Sequence, residues 1–328
     1  MPLIDLNTPE VRDLAWTIQS PGLLAASYRE SPHGENDEDW VITDTWCEQQ
    51  YAKFETWLGA LDESPQPLLD WLKPRQNPRL GYYFESLVEF WLSHDQSVSR
   101  LIPHLQVNDA TLKDQRRTLG EFDFLLLDSE HQRVQHWEVA VKFYLHDQRA
   151  NGQALWYGPN PRDRLDLKLQ RLFQHQLTLS RLPQARAALQ ALGLNLPLWP
   201  RLLLKGYLFY RSDDHWTHHE TRFRGLSARH LRGWWTYLEP FVIPNAESDR
   251  RWLYLPRLQW LAPAKVVRDQ EGQLMNFREL HNFCFDLLGR HQKPPLLAEM
   301  RRAESGVWEE VSRGFVVPPH WPGVTEKA

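Results

Sequence analysis

Gly120-Glu121-Phe122-Asp123-Phe124-Leu125-Leu126-Leu127, a polar turn, then His136-Trp137-Glu138-Val139-Ala140-Val141-Lys142-Phe143-Tyr144-Leu145 is the stretch that decides the fold. Both arms are mainly aromatic and aliphatic, as strands prefer, and the whole reads as a β-hairpin. Four charges sit inside these arms: Glu121, Asp123, Glu138 and Lys142. In such surroundings a charge is costly unless it is paired, metal-bound or facing water.

Register turns those charges into a site. With the turn centred between Glu130 and His131, Asp123 faces Glu138, and residues opposite one another share a face with Cβ atoms about 5 Å apart. Alternation then sends Glu121, Asp123, Glu138 and Lys142 to one side. Phe122, Phe124, Leu126, Trp137, Val139, Val141 and Phe143 go to the other. Two facing carboxylates repel, and a bridging divalent cation relieves them. Such a cation polarises phosphate and generates hydroxide near neutral pH, while a nearby lysine stabilises developing charge. The competing expectation is a surface ion pair of Glu121 with Lys142, with Asp123 and Glu138 merely exposed.

Outward from the hairpin, helical periodicity predicts helices over 8–20, 43–61, 79–94, 163–179, 183–192, 226–241 and 276–290, with a short one at 69–72. In the helix over 79–94, Leu80, Phe84, Leu87, Val88 and Trp91 form the apolar stripe, and Tyr82, Glu85 and Glu89 share another face. In the helix over 276–290, Phe277, Leu280, Phe283, Leu287 and Leu288 are expected inward. Strands are expected at 101–108, 201–210 and 252–261, the last at an edge because of Pro256. Loops are expected at 27–41, 109–118, 152–161 and 211–224. The tail from Phe315, with Pro318, Pro319 and Pro322, reads as extended or mobile. The order of elements is that of an α/β core.

Helix, strand, Asp strand, Glu-and-Lys strand, helix, strand resembles the core of the PD-(D/E)XK nuclease superfamily. The phrases Gly120–Leu125 and His136–Tyr144 resemble more closely a bacterial family, domain of unknown function 1853. The resemblance implies a helix, a three-strand antiparallel meander, a helix and a strand over residues 79–210, with an N-terminal helical extension over 1–78 and an α+β extension over 211–328. It implies Asp123 and Glu138 as ligands of Mg²⁺ or Mn²⁺, with Glu85 and Glu121 as further ligands. It implies Lys142 as the catalytic lysine, and Gln176 as a residue that orients phosphate or water. The superfamily places its lysine two residues after the acid; that position is Ala140 here. Lys142 lies about 13 Å along the strand from Glu138 at roughly 3.3 Å per residue. A bulge, or a substitute lysine from the next helix such as Lys168, would repair the geometry; otherwise the nuclease is degenerate.

Composition sets bounds on this reading. The chain has 328 residues and a net charge of −4, so a globally basic nucleic-acid-binding protein is not indicated. Local basic patches, Arg162–Arg186 and Arg201–Arg232, are the expected phosphate-contacting surface. Cys47 and Cys284 lie far apart, which excludes a disulfide framework and fits a cytoplasmic setting. Neither a secretory signal nor a transmembrane run is read from the sequence. His215, His218, His219 and His230 raise a zinc site, but Asp213-Asp214-His215-Trp216 reads as a turn and a solvated loop is expected. The leading function is metal-dependent hydrolysis of DNA or RNA. The alternatives are a degenerate nuclease fold that binds nucleic acid without cleaving it, favoured by Ala140, and a protein-interaction role, suggested by the 16 Trp residues.

Overall fold

Apolar residues at the helical period build the N-terminal third of the protein. The computed structural model describes residues 5–28, 40–75, 77–109, 117–128, 133–148, 154–195, 198–212, 225–239, 241, 249–291 and 293–323. Most of the loop expected at 27–41, the hairpin turn and the histidine-rich segment with His215, His218 and His219 lie outside these residues. The chain is a mixed α/β protein that divides into two units. The first comprises Met1–Val141, Leu167–Lys205 and Gly225–Arg229; the second comprises Lys142–Asp166, Gly206–Arg224 and His230–Ala328.

In the first unit, α1 (Pro9–Gln19), α2 (Asp44–Glu63), α3 (Gln66–Leu72) and α4 (Leu80–Ser93) come first. Thr43 caps α2 by accepting the Trp46 N–H at 3.1 Å. Cys47, Tyr51, Phe54, Leu58 and Leu61 make the buried stripe of α2. All five apolar positions expected on α4 are buried, with Ser86, Phe90 and Leu92 besides. Then follow β1 (Val98–Asp109), β2 (Arg117–Asp128) and β3 (Arg133–Gln148) as an antiparallel meander. The helical stretch after the hairpin is not one regular helix. It begins as α5 (Leu165–Arg171), widens into a π turn over Leu172–Gln176, and ends in a 3₁₀ turn over Leu179–Arg181. The Leu177 N–H reaching the Leu172 carbonyl at 2.9 Å marks the π turn. α6 (Pro183–Ala191) follows.

The second unit takes the later parts of β3 and β5 (Leu198–Arg211), with β4 (Ala154–Tyr157), β6 (Leu231–Tyr237), β7 (Arg251–Leu255), β8 (Lys265–Val266), α7 (Phe277–His291), β9 (Leu296–Arg302) and β10 (Trp308–Val317). Its strand order is β5-β6-β10-β9-β7. Of these neighbours β5, β6 and β10 run parallel, while β9 is antiparallel to both β10 and β7. Three expectations are corrected here. Residues 231–237 are a strand, not part of a helix: Trp234 and Trp235 are neighbours and both buried, which a strand covered on two faces permits. Phe315–Val317 are not a mobile tail but the fully buried end of β10. On α7, Phe277 points outward at 41% exposure, while Cys284 takes an inward place beside Leu280 and Leu288. β4, β8, β9 and β10 have no counterpart among the strands expected from the sequence, and β7 ends at Leu255, just before Pro256.

Candidate functional site

The β2–β3 ladder pairs Asp128 with Arg133, Leu126 with Gln135 and Phe124 with Trp137. One more step of this register brings Asp123 opposite Glu138, as the sequence predicts. There the ladder stops. The Asp123 carboxylate accepts the Val139 N–H at 2.9 Å, in place of a backbone carbonyl. On the other edge of β2, Pro103 pairs with Phe124 and Leu105 with Phe122, which sets His104 opposite Asp123. His104 is a non-glycine residue at φ 53°. A left-handed residue inside a strand is strained, by roughly 1–3 kcal/mol, and such strain gathers at functional sites.

This irregularity corrects the expected alternation. Alternation puts Phe122 on the face opposite the carboxylates, yet its ring meets the His136 ring edge-on at 4.6 Å. It joins Leu125, Val134 and Leu179 in one apolar cluster. The strands therefore part at Asp123, and groups from two helices arrive there.

From α4 comes Glu85. Burial, together with the charge on Asp123, raises its carboxyl to about 7, and the nearby His104 opposes the rise. From the helix after the hairpin come Lys168 and Gln176. Lys168 Nζ donates to Gln176 Oε1 at 3.1 Å, and Gln176 Nε2 donates to Glu138 Oε2 at 2.6 Å. Eight residues at 3.6 per turn leave two side chains about 80° apart around an α-helix. The π turn between them reduces the rotation per residue and brings the pair into line.

Glu138 itself is fully buried. Its Oε1 lies 3.0 Å from His136 Nε2. Burial raises Glu138 to about 8, against the attraction of Lys168. Burial and then the Glu138 charge raise Asp123 to about 8, again opposed by Lys168 and by the Val139 N–H. Both acids therefore keep their protons at neutral pH, Glu138 chiefly through burial and Asp123 through burial and the Glu138 charge beside it. His136 is pushed down to about 3 by burial and is neutral. Its Nδ1 is buried without a partner among the described residues.

The seven predicted residues separate here. Glu85, Asp123, Glu138, Lys168 and Gln176 converge in the first unit. Glu121 turns to His104, whose Nδ1 lies 3.3 Å from its Oε1, and is partly exposed. Lys142 belongs to the second unit, where its Nζ donates to Asp163 Oδ2 at 2.7 Å. Two residues were missed. His136 stands two positions before Glu138, so strand alternation alone could have found it. His104 carried no signal, because nothing in its neighbours marks a positive φ. Among the described residues, no group of three or more His, Cys, Asp or Glu stands ready to hold a metal ion. Of the expected basic surface, Arg201, Arg211 and Arg232 lie over aromatic rings, and Arg164 pairs with Asp166. His230, just before β6, is buried, lies 2.7 Å from the Tyr210 hydroxyl and packs on its ring, so it is not the solvated residue expected.

No helix among the described residues is long and apolar enough to cross a membrane. No curated protein and no solved structure matches the chain. The family model described as a domain of unknown function (DUF1853) matches residues 12–317, and the chain belongs to that family.

Proposed function

We propose that the chain is a divalent-cation-dependent phosphodiesterase that hydrolyses nucleic acid. In this reading α4, the β1–β2–β3 meander, the helix after the hairpin and β5 form a core of the PD-(D/E)XK type. The observation that carries it is the meeting of Glu85, Asp123 and Glu138 with the Lys168–Gln176 pair where the β2–β3 ladder ends.

Mg²⁺ or Mn²⁺ fits this donor set. Mg²⁺ commonly takes only one or two protein carboxylates, with water and phosphate oxygens completing its shell. Asp123 and Glu138 would be those two, so a ready-made three-residue cage is not required. When bound, the cation lowers the pKa of water and polarises the phosphate. The side chains do the rest. Lys168 sets a positive charge beside the carboxylates, placed to stabilise charge developing on phosphate oxygens. Gln176 fixes both Lys168 and Glu138. Glu85, with its carboxyl near 7, exchanges a proton at neutral pH. The lysine role falls to Lys168 because Lys142 is held by Asp163.

A second reading has its own observation. Both oxygens of Glu138 are already engaged, by His136 and Gln176, as suits a site that binds nucleic acid without cleaving it. Cleavage of single- and double-stranded DNA and RNA with Mg²⁺ or Mn²⁺ separates the two. Cleavage is expected, with a loss of about 10² or more in Lys168→Ala, comparable to removing one preorganised donor. Lys142→Ala should stay within a few-fold of wild type. Activity that survives unchanged in Asp123→Ala with Glu138→Ala overturns the site. Salt-dependent binding without cleavage selects the second reading.

A further inference from the structure

The second unit holds a cavity of about 690 Å³ that none of the chemistry above uses. Ligand pockets run from roughly 300 to 1,000 Å³, so it is large enough for a small organic molecule. Its apolar walls are Tyr254, Trp260, Leu287 and the rings of Pro159, Pro161, Pro294 and Pro295. Proline has no backbone N–H, so this wall is poor in main-chain donors.

The polar lining is Asn160, Arg257, His291 and Lys293, and no Asp or Glu lines the cavity among the described residues. Arg257 and Lys293 donate only. Asn160 Oδ1 already accepts the Arg162 N–H at 3.2 Å, which leaves its amide hydrogens for a partner. The Arg257 guanidinium stands 5.3 Å from the centre of the Trp260 ring, so a cation and an aromatic face meet at one wall. Two permanent cations with no carboxylate beside them among the described lining residues call for an acceptor-rich anion. The aromatic rings of Tyr254 and Trp260 in the lining favour a planar, aromatic body.

We propose that this cavity binds a phosphorylated nucleoside, its base between the proline and aromatic walls and its phosphate on Arg257 and Lys293. The same chemistry comes from a free mononucleotide or from the 5′-terminal nucleotide of a strand. The proposal stands on the lining of the second unit alone and is independent of the carboxylates.

The test is calorimetric titration of the full chain with AMP, adenosine and inorganic phosphate, and with an oligonucleotide bearing either a 5′-phosphate or a 5′-hydroxyl. AMP should bind at least tenfold more tightly than adenosine or phosphate. Arg257→Ala with Lys293→Ala should weaken AMP at least tenfold. Both residues are exposed, and an unchanged thermal melt verifies that the variant is folded. A 5′-phosphorylated strand that binds as AMP does identifies the strand end as ligand; AMP alone identifies the free nucleotide. The Asp123→Ala, Glu138→Ala variant should bind AMP as wild type does, so failure here and failure of the nuclease reading are separately visible. Three results overturn the proposal: no AMP binding, AMP binding unchanged in the double variant, or phosphate binding as tightly as AMP.

Discussion

Each acidic side chain of the site is expensive where it sits, and the expense has a sign that pH reveals. In an unfolded chain these carboxyls titrate near 4. In the fold, burial holds Asp123 and Glu138 near 8. Between those values the folded state binds more protons, so their stabilising share is complete below about 4 and is lost as pH rises through 8. His136 runs the other way: its depressed value adds stability as pH rises from about 3 to about 6.5. The clean window therefore lies above 7. Without divalent cations, the protein should lose about 1–2 kcal/mol between pH 7 and pH 9. The figure is kept low because Asp123 is partly exposed and the two acids titrate as a pair. Urea midpoints in EDTA measure it, and Asp123→Asn with Glu138→Gln should flatten the slope. Stability that rises over this window would contradict the coupling described. At this scale the meeting of Asp123 with Glu138 is legible, because the register that pairs Phe124 with Trp137 brings them together. The left-handed His104, and with it the displaced Phe122, is not, because positive φ at a non-glycine leaves no compositional trace.

At the level of elements, the legible parts were those with one buried face. α2 and α4 announce themselves by apolar residues three and four apart, and every such residue is buried. β6 defeated the same reasoning. Trp234-Trp235 has neither helical nor alternating period, because both faces of that strand are covered. Glycines make the room. A Cβ on Gly314 would lie 2.0 Å from the Trp234 ring opposite it, and one on Gly233 would lie 2.4 Å from Phe209. The tightest approach is Gly206 of β5, where a Cβ would stand 1.7 Å from the Lys142 carbonyl oxygen. Its φ of 137° is also closed to L side chains. Gly206→Ala thus combines backbone strain with a clash against main chain that no rotamer relieves. It should cost more than about 3 kcal/mol, read as collapse of soluble yield or a large fall in the urea midpoint. Gly272→Ala meets nothing within 4 Å and serves as the control, expected near wild type. A stable Gly206→Ala protein would mean that β3 and β5 are not packed as described.

Across the whole molecule, a net charge of −4 hides the feature that matters, a knot of carboxylates with one lysine inside a single unit. Total charge could not have found it, whereas the hairpin register could. The same knot gives the cation reading a test that needs no substrate. A ligand that binds only the folded state stabilises it by RT ln(1 + [L]/Kd), about 2.7 kcal/mol at a hundredfold excess over Kd. For a chain of this size that is a rise of a few degrees in the unfolding midpoint. Protons compete for the same oxygens, since Asp123 and Glu138 hold theirs up to about 8. The Mn²⁺-induced rise should therefore be larger at pH 8.5 than at pH 6, and EDTA should reverse it. Because the cation displaces protons, it should also offset the alkaline loss of stability seen without it. Asp123→Asn with Glu138→Gln should abolish the rise at both pH values, while Lys142→Ala should keep it. An equal rise in the double variant would place the cation elsewhere on the surface and leave the carboxylates as a buried proton-sharing pair held by His136 and Gln176.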